Sequence, residues 1–113
     1  MDVIEIFSFS ICLIVALIMA AIGVAQIRSK TPVGFYSGEK PLEERELSDV
    51  PMWNKKHGLM WISYGIIILV SYFGGFLIGM ATVWCVIPVV GGTILPVFVM
   101  IWYHHHLIRL YKI

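Results

Sequence analysis

From Gly58 to Leu107 the chain runs fifty residues without an aspartate, glutamate, lysine or arginine. One helix of that length would be about 75 Å long, more than twice the ~30 Å hydrocarbon core of a bilayer. The run therefore has to fold back on itself. Gly79, Met80, Ala81 and Thr82 make the best turn, giving a second helix over about residues 51–78 and a third over about 83–108. Gly74 and Gly75 are the alternative turn site. Pro88, Gly91, Gly92 and Pro96 fall inside the third helix and invite a kink or a locally unwound turn at membrane depth.

A first apolar run precedes this pair, over about residues 6–27, again without a charge and long enough to cross the core. Its flank carries Asp2 and Glu5 but no basic residue, whereas a cleaved signal peptide has a positive flank, so it is expected to stay as a membrane helix. Ala16, Ala20 and Gly23 share one face and would let another helix approach closely. With 59% hydrophobic and 13% charged residues, the chain lies far from a soluble domain, where about a quarter is charged. The expected fold is all-α: an integral membrane protein with three transmembrane helices in a small bundle, residues 1–113 forming a single membrane domain. A net charge of +1 excludes the dense basic surface that nucleic-acid binding needs.

Residues 28–50 form a charged connector, and its basic residues, with Lys55 and Lys56 just beyond, face Glu39, Glu43, Glu44, Glu46 and Asp49. Such a run is most simply a solvated link. Gly34 and Gly38 bracket an aromatic turn, the stretch from Pro41 to Leu47 suits a turn or two of helix, and Ser48 or Asp49 suits an N-cap before Pro51. Six Lys/Arg fall in the polar stretch from Arg28 to Lys56, with Arg109 and Lys112 in the tail and none in the other two exposed segments. The positive-inside rule then puts the N-terminus and the hairpin outside, and the connector and C-terminus in the cytoplasm of a cell-membrane protein. Trp53, Trp61, Trp102, Tyr103 and Tyr111 would sit at the inner interface, with Phe7, Phe76 and Trp84 at the outer one.

This topology gathers chemistry that the linear order separates. His57 opens helix two while His104, His105 and His106 close helix three, so all four lie at one depth. Four imidazoles at one level are candidate ligands for a transition metal or a pH-sensitive cluster, or else interfacial side chains beside Arg109. Consecutive helical residues point about 100° apart, so at most two of the triplet can face His57. Asn54, His57 and Trp61 share a face of helix two beside a stripe of Gly58 and Gly65. They would grip a headgroup or partner, or tie the connector to the helix. Gly92 is a further candidate contact on helix three. Cys12 and Cys85 lie in apolar runs and read as buried thiols.

No aspartate, glutamate, lysine or arginine lies deep in any helix, and no GxSxG, HExxH or glycine-rich phosphate loop is present. No catalytic residue, resident cofactor or enzymatic activity is expected.

A first helix ending in a basic residue, Gly34 and Phe35 opening a charged connector, then Asn54, Lys55 and Gly58 opening a hydrophobic hairpin, resembles the small bacterial membrane proteins related to SdpI. That group includes an immunity protein against a secreted toxin, and it supplies no catalytic residues. The resemblance implies a three-helix, non-enzymatic protein acting through protein or peptide contact, with a peptide toxin or a larger membrane protein as partner and homo-oligomers expected. The alternative is a small oligomeric transporter or channel for ions or small amphiphiles, with the segment from Pro88 to Pro96 as its broken helix.

Overall fold

The computed structural model describes residues 3–35, 42–79, 84 and 86–113. The described residues are all-α, with helices α1 (Val3–Arg28), α2 (Val50–Ile78), α3 (Val86–Thr93) and α4 (Leu95–Tyr111), and a 3-10 turn at Glu44–Glu46. Three apolar stretches, Val3–Arg28, Val50–Ile78 and Val86–Tyr111, are each long and apolar enough to cross a membrane. The hairpin residues Met80 to Val83, Cys85, and residues 36–41 of the connector lie outside the described residues.

α2 is the central helix. The Asp49 side chain caps its start by accepting the Met52 N–H at 3.1 Å, and Pro51 occupies the first turn, where a missing N–H costs nothing. Its end is set by Gly79, whose φ of 114° suits glycine alone.

α1 lies antiparallel on one side of α2. Gly23 faces Gly58, Ala16 faces Gly65, and the rings of Phe9 and Tyr72 meet 5.9 Å apart. Each step is seven residues, two helical turns, so one seam stays in contact along both helices. Helices in lipid gain little from hiding apolar surface from one another, because the tails are as apolar as leucine. They associate by close packing, which small residues allow.

α3 and α4 also pack against α2, and α1 and α4 scarcely meet. The third membrane stretch is two helices rather than one. Pro96 has no N–H to donate to the carbonyl of Gly92. The Val97 N–H turns to Ile94 at 3.1 Å, leaving the Thr93 carbonyl outside the helical ladder. The Tyr64 hydroxyl donates to that carbonyl at 2.6 Å. A freed carbonyl at membrane depth has no water to bond, so Tyr64 is what makes the break tolerable there.

At the other end of the bundle the described parts of the connector are packed against the helices, which a merely solvated link would not be. Leu47, Trp53 and Leu107 form a buried cluster with Val33, Leu42 and Tyr111 against it. Ser48 donates to the Tyr111 carbonyl and Ile113 to the Glu46 carbonyl, each at 2.8 Å, and Leu47 pairs with Lys112 as a short antiparallel bridge. Glu43, Glu44 and Arg45 point outward and are exposed, with Arg45 bonded to Glu43 at 2.6 Å. Trp53 departs from the interfacial belt and is 1% exposed.

Candidate functional site

The residues marked by the sequence as chemically interesting meet mainly at the connector end of α2. Asn54 is fully buried. Its Oδ1 accepts the Val33 N–H at 3.1 Å, while its amide donates to the carbonyls of Ser29 at 3.1 Å and Thr31 at 2.9 Å. The Trp53 indole donates to the Val33 carbonyl at 2.9 Å. Both side chains thus clamp residues 29–33 onto the first turns of α2. The reason is local: leaving α1 strands the Ser29 carbonyl, to which the buried amide supplies a donor, and the same amide gives the Thr31 carbonyl a second donor beside the Ser29 hydroxyl.

His57 lies one turn deeper and is also fully buried. Its Nδ1 is 2.9 Å from the Trp53 carbonyl, and its Nε2 is 2.9 Å from Nδ1 of His104 on α4. A carbonyl only accepts, so Nδ1 of His57 carries the proton. With both rings neutral, Nε2 then accepts and His104 donates from Nδ1. This bond ties α2 to α4. Phe35 stacks on His104 with centroids 5.0 Å apart and on Trp61 at 5.8 Å, while Gln26 donates to the Gly34 carbonyl at 3.2 Å.

The histidine triplet splays. His105 is exposed and its Nδ1 lies 2.9 Å from the Ile101 carbonyl, while His106 stacks on Trp102 with centroids 5.4 Å apart. Two imidazole nitrogens on one tetrahedral zinc ion stand about 3.3 Å apart, given Zn–N bonds of about 2.0 Å. The His57–His104 distance is that of a hydrogen bond. Among the described residues no three of His, Cys, Asp or Glu cluster to hold a metal. Gly92 stands apart, packed on α2, where an added Cβ would run into the Ser71 side chain. Cys12 is a free, half-buried thiol.

Cavities flank α2 on the membrane-length helices. One, of about 570 Å³, is a groove between α2 and the α3–α4 arm, lined by Lys56, Leu59, Tyr64, Gly91, Pro96 and Tyr103 among others. The second, of about 350 Å³, lies between α1, α2 and α3. Tyr72 lines it, and its buried hydroxyl has no hydrogen-bond partner among the described residues.

No protein-family model matches the sequence, and searches of curated proteins and of solved structures return no significant match. Asn54 anchors the connector, Phe35 stacks on His104, and Gly58 meets Gly23.

Sequence reasoning missed Tyr64, Trp53 and the tail as structural partners. The proline four residues past Gly92 was the available signal for Tyr64, since it frees carbonyls that some hydroxyl must reach.

Proposed function

We propose that the chain is a non-enzymatic membrane protein that acts by contact, as an accessory subunit or an immunity-type shield against a membrane-active peptide. The observation that carries this reading is that the buried polar groups of Trp53, Asn54, His57 and His104 bond to other parts of the same chain. The membrane-length helices present a broad apolar surface, with Phe7, Leu17, Phe98 and Trp102 exposed along them. An enzyme or ion-coupled transporter needs an acid, base or ligand placed within the bilayer. The likeness to the SdpI-related group supports the immunity form. In this reading the connector and its basic residues face the cytoplasm of a cell-membrane protein.

The test is a photo-crosslinking residue at Leu17 or Phe98 in native membranes, combined with deletion of the gene. A specific crosslinked protein or peptide, or altered peptide tolerance, supports the reading. Absence of both a specific crosslink and any change in peptide tolerance would remove it. Arg45→Cys, inaccessible to an impermeant thiol reagent from outside intact cells, tests the orientation.

The break between α3 and α4 favours a channel or transporter as the second reading, because discontinuous helices often form substrate sites. Proteoliposomes that pass no ions or amphiphiles above empty vesicles would exclude it.

A further inference from the structure

The groove between α2 and α4 differs along its length. Lys56 and Tyr103 line its connector end, and Leu59, Met60, Ile67, Leu95 and Val99 make its body apolar. Leu59, Ile67, Leu95 and Val99 are exposed along it, so it opens sideways, towards lipid in a membrane.

Its depth is the informative quantity. From Lys56 to Ile67 is eleven residues, about 16 Å at ~1.5 Å per residue. That is half of a ~30 Å hydrocarbon core, or one leaflet. α2 has 29 residues and is about 43 Å long, so its first turns reach beyond the core and leave Lys56 at headgroup level. A partner's transmembrane helix would need a groove two leaflets deep. A lipid tail needs one.

The charge agrees. Lys56 makes no ion pair among the described residues. Its Nζ lies over the Tyr111 ring, 5.5 Å from the centroid, which holds the ammonium at the mouth of the groove. An ammonium at an interface attracts anionic headgroups.

We propose that this groove is a binding site for one anionic phospholipid of the connector-side leaflet, with its phosphate at Lys56 and Tyr103 and an acyl chain along α2 towards Gly91. The site does not rest on the contact function proposed above. It is a property of α2 and the α3–α4 arm whatever partner the protein meets.

The test is native mass spectrometry of the full chain in detergent, offered equal amounts of phosphatidylglycerol and phosphatidylcholine with identical acyl chains. The wild type is expected to retain a single phosphatidylglycerol in preference to phosphatidylcholine. Lys56→Gln lowers that preference about fivefold to tenfold, and Lys56→Arg restores it. Lys55→Gln, the adjacent lysine that does not line the groove, leaves it unchanged. Gly91→Leu fills the groove and lowers retention of both lipids. The nearest atom to a Cβ there is Leu95 Cδ1 at 4.0 Å, so this variant has room to fold. Circular dichroism confirms that each variant is helical, and Ser63→Leu, also on the groove, replaces any that is not. Equal retention of the two lipids by the wild type, equal losses from Lys55→Gln and Lys56→Gln, or a lipid-free dimer as the retained species would each overturn the proposal.

Discussion

The carbonyl oxygen of Gly58 lies where a side chain on Gly23 would begin, and the carbonyl of Gly23 lies where one on Gly58 would begin. The two helices touch backbone to backbone at this point. Seven residues on, a Cβ at Gly65 would stand 2.8 Å from the Ala16 carbonyl, so the close approach continues along the seam.

Gly58→Ala is therefore expected to destabilise the protein by about 1–3 kcal/mol, the usual cost of overpacking. Gly74→Ala is the control, because its nearest neighbour is Pro88 Cβ at 3.7 Å, an ordinary contact. It should be neutral or stabilising, since alanine is the better helix former. Thermal unfolding in detergent, followed by circular dichroism, checks both. An equal loss from the two variants would contradict the seam.

Tyr64→Phe removes the donor to the Thr93 carbonyl and is expected to cost about 1 kcal/mol. Pro96→Ala lets the ladder re-form across the break, after which that carbonyl no longer depends on Tyr64. A double-mutant cycle should thus find Tyr64→Phe nearly silent in the Pro96→Ala background. Purely additive losses would show that the hydroxyl and the break are uncoupled.

Asn54 offers a finer test, because its two ends do different work. Asn54→Ala should speed hydrogen exchange at the Val33 amide and make residues 29–33 protease-sensitive. Asn54→Asp keeps an acceptor for Val33 but sets a carboxylate against the carbonyls of Ser29 and Thr31. That variant should retain Val33 protection better than alanine while losing at least as much stability. If both variants exchange Val33 like the wild type, the clamp is absent.

The histidines should separate by role. His104→Ala is expected to lower the melting temperature clearly, since it removes the bond to buried His57, whereas His105→Ala should have little effect. Nitrogen-15 spectra at neutral pH should place the proton on Nδ1 in both His57 and His104. Zinc retained through untagged purification and lost on His57→Ala would instead favour a metal site.

Much of the fold can be read along the chain because lipid simplifies the problem. Backbone groups must bond within their own segment in hydrocarbon, so an uncharged run of sufficient length has to be a helix. Asp49 and Pro51 before α2, and Gly79 after it, mark ends that local chemistry fixes. Small residues at Ala16, Gly23, Gly58 and Gly65 mark faces suited to close packing, although their spacing alone does not pair Gly23 with Gly58. The candidate site was legible in part. Phe35, Asn54, His57, Trp61 and one histidine of the triplet do gather at the connector end, whereas His105 and His106 lie at that end but turn away from His57, and Gly92 packs elsewhere.

The rest depended on which side chain reaches which distant backbone atom. Nothing local shows that Trp53 turns inward to Val33, that the tail after Tyr111 pairs with Glu46 to Ser48, or that Tyr64 reaches Thr93 across 29 residues. The sequence by itself determined three membrane-length helical stretches and the chemistry that starts and stops the second, because those follow from hydrophobicity and turn chemistry acting within a few residues. Tertiary structure alone decided that His104 faces His57, and that a connector full of charges is clamped onto the bundle. Those outcomes depend on helix rotation and on satisfying buried polar groups, which are settled only when the helices meet.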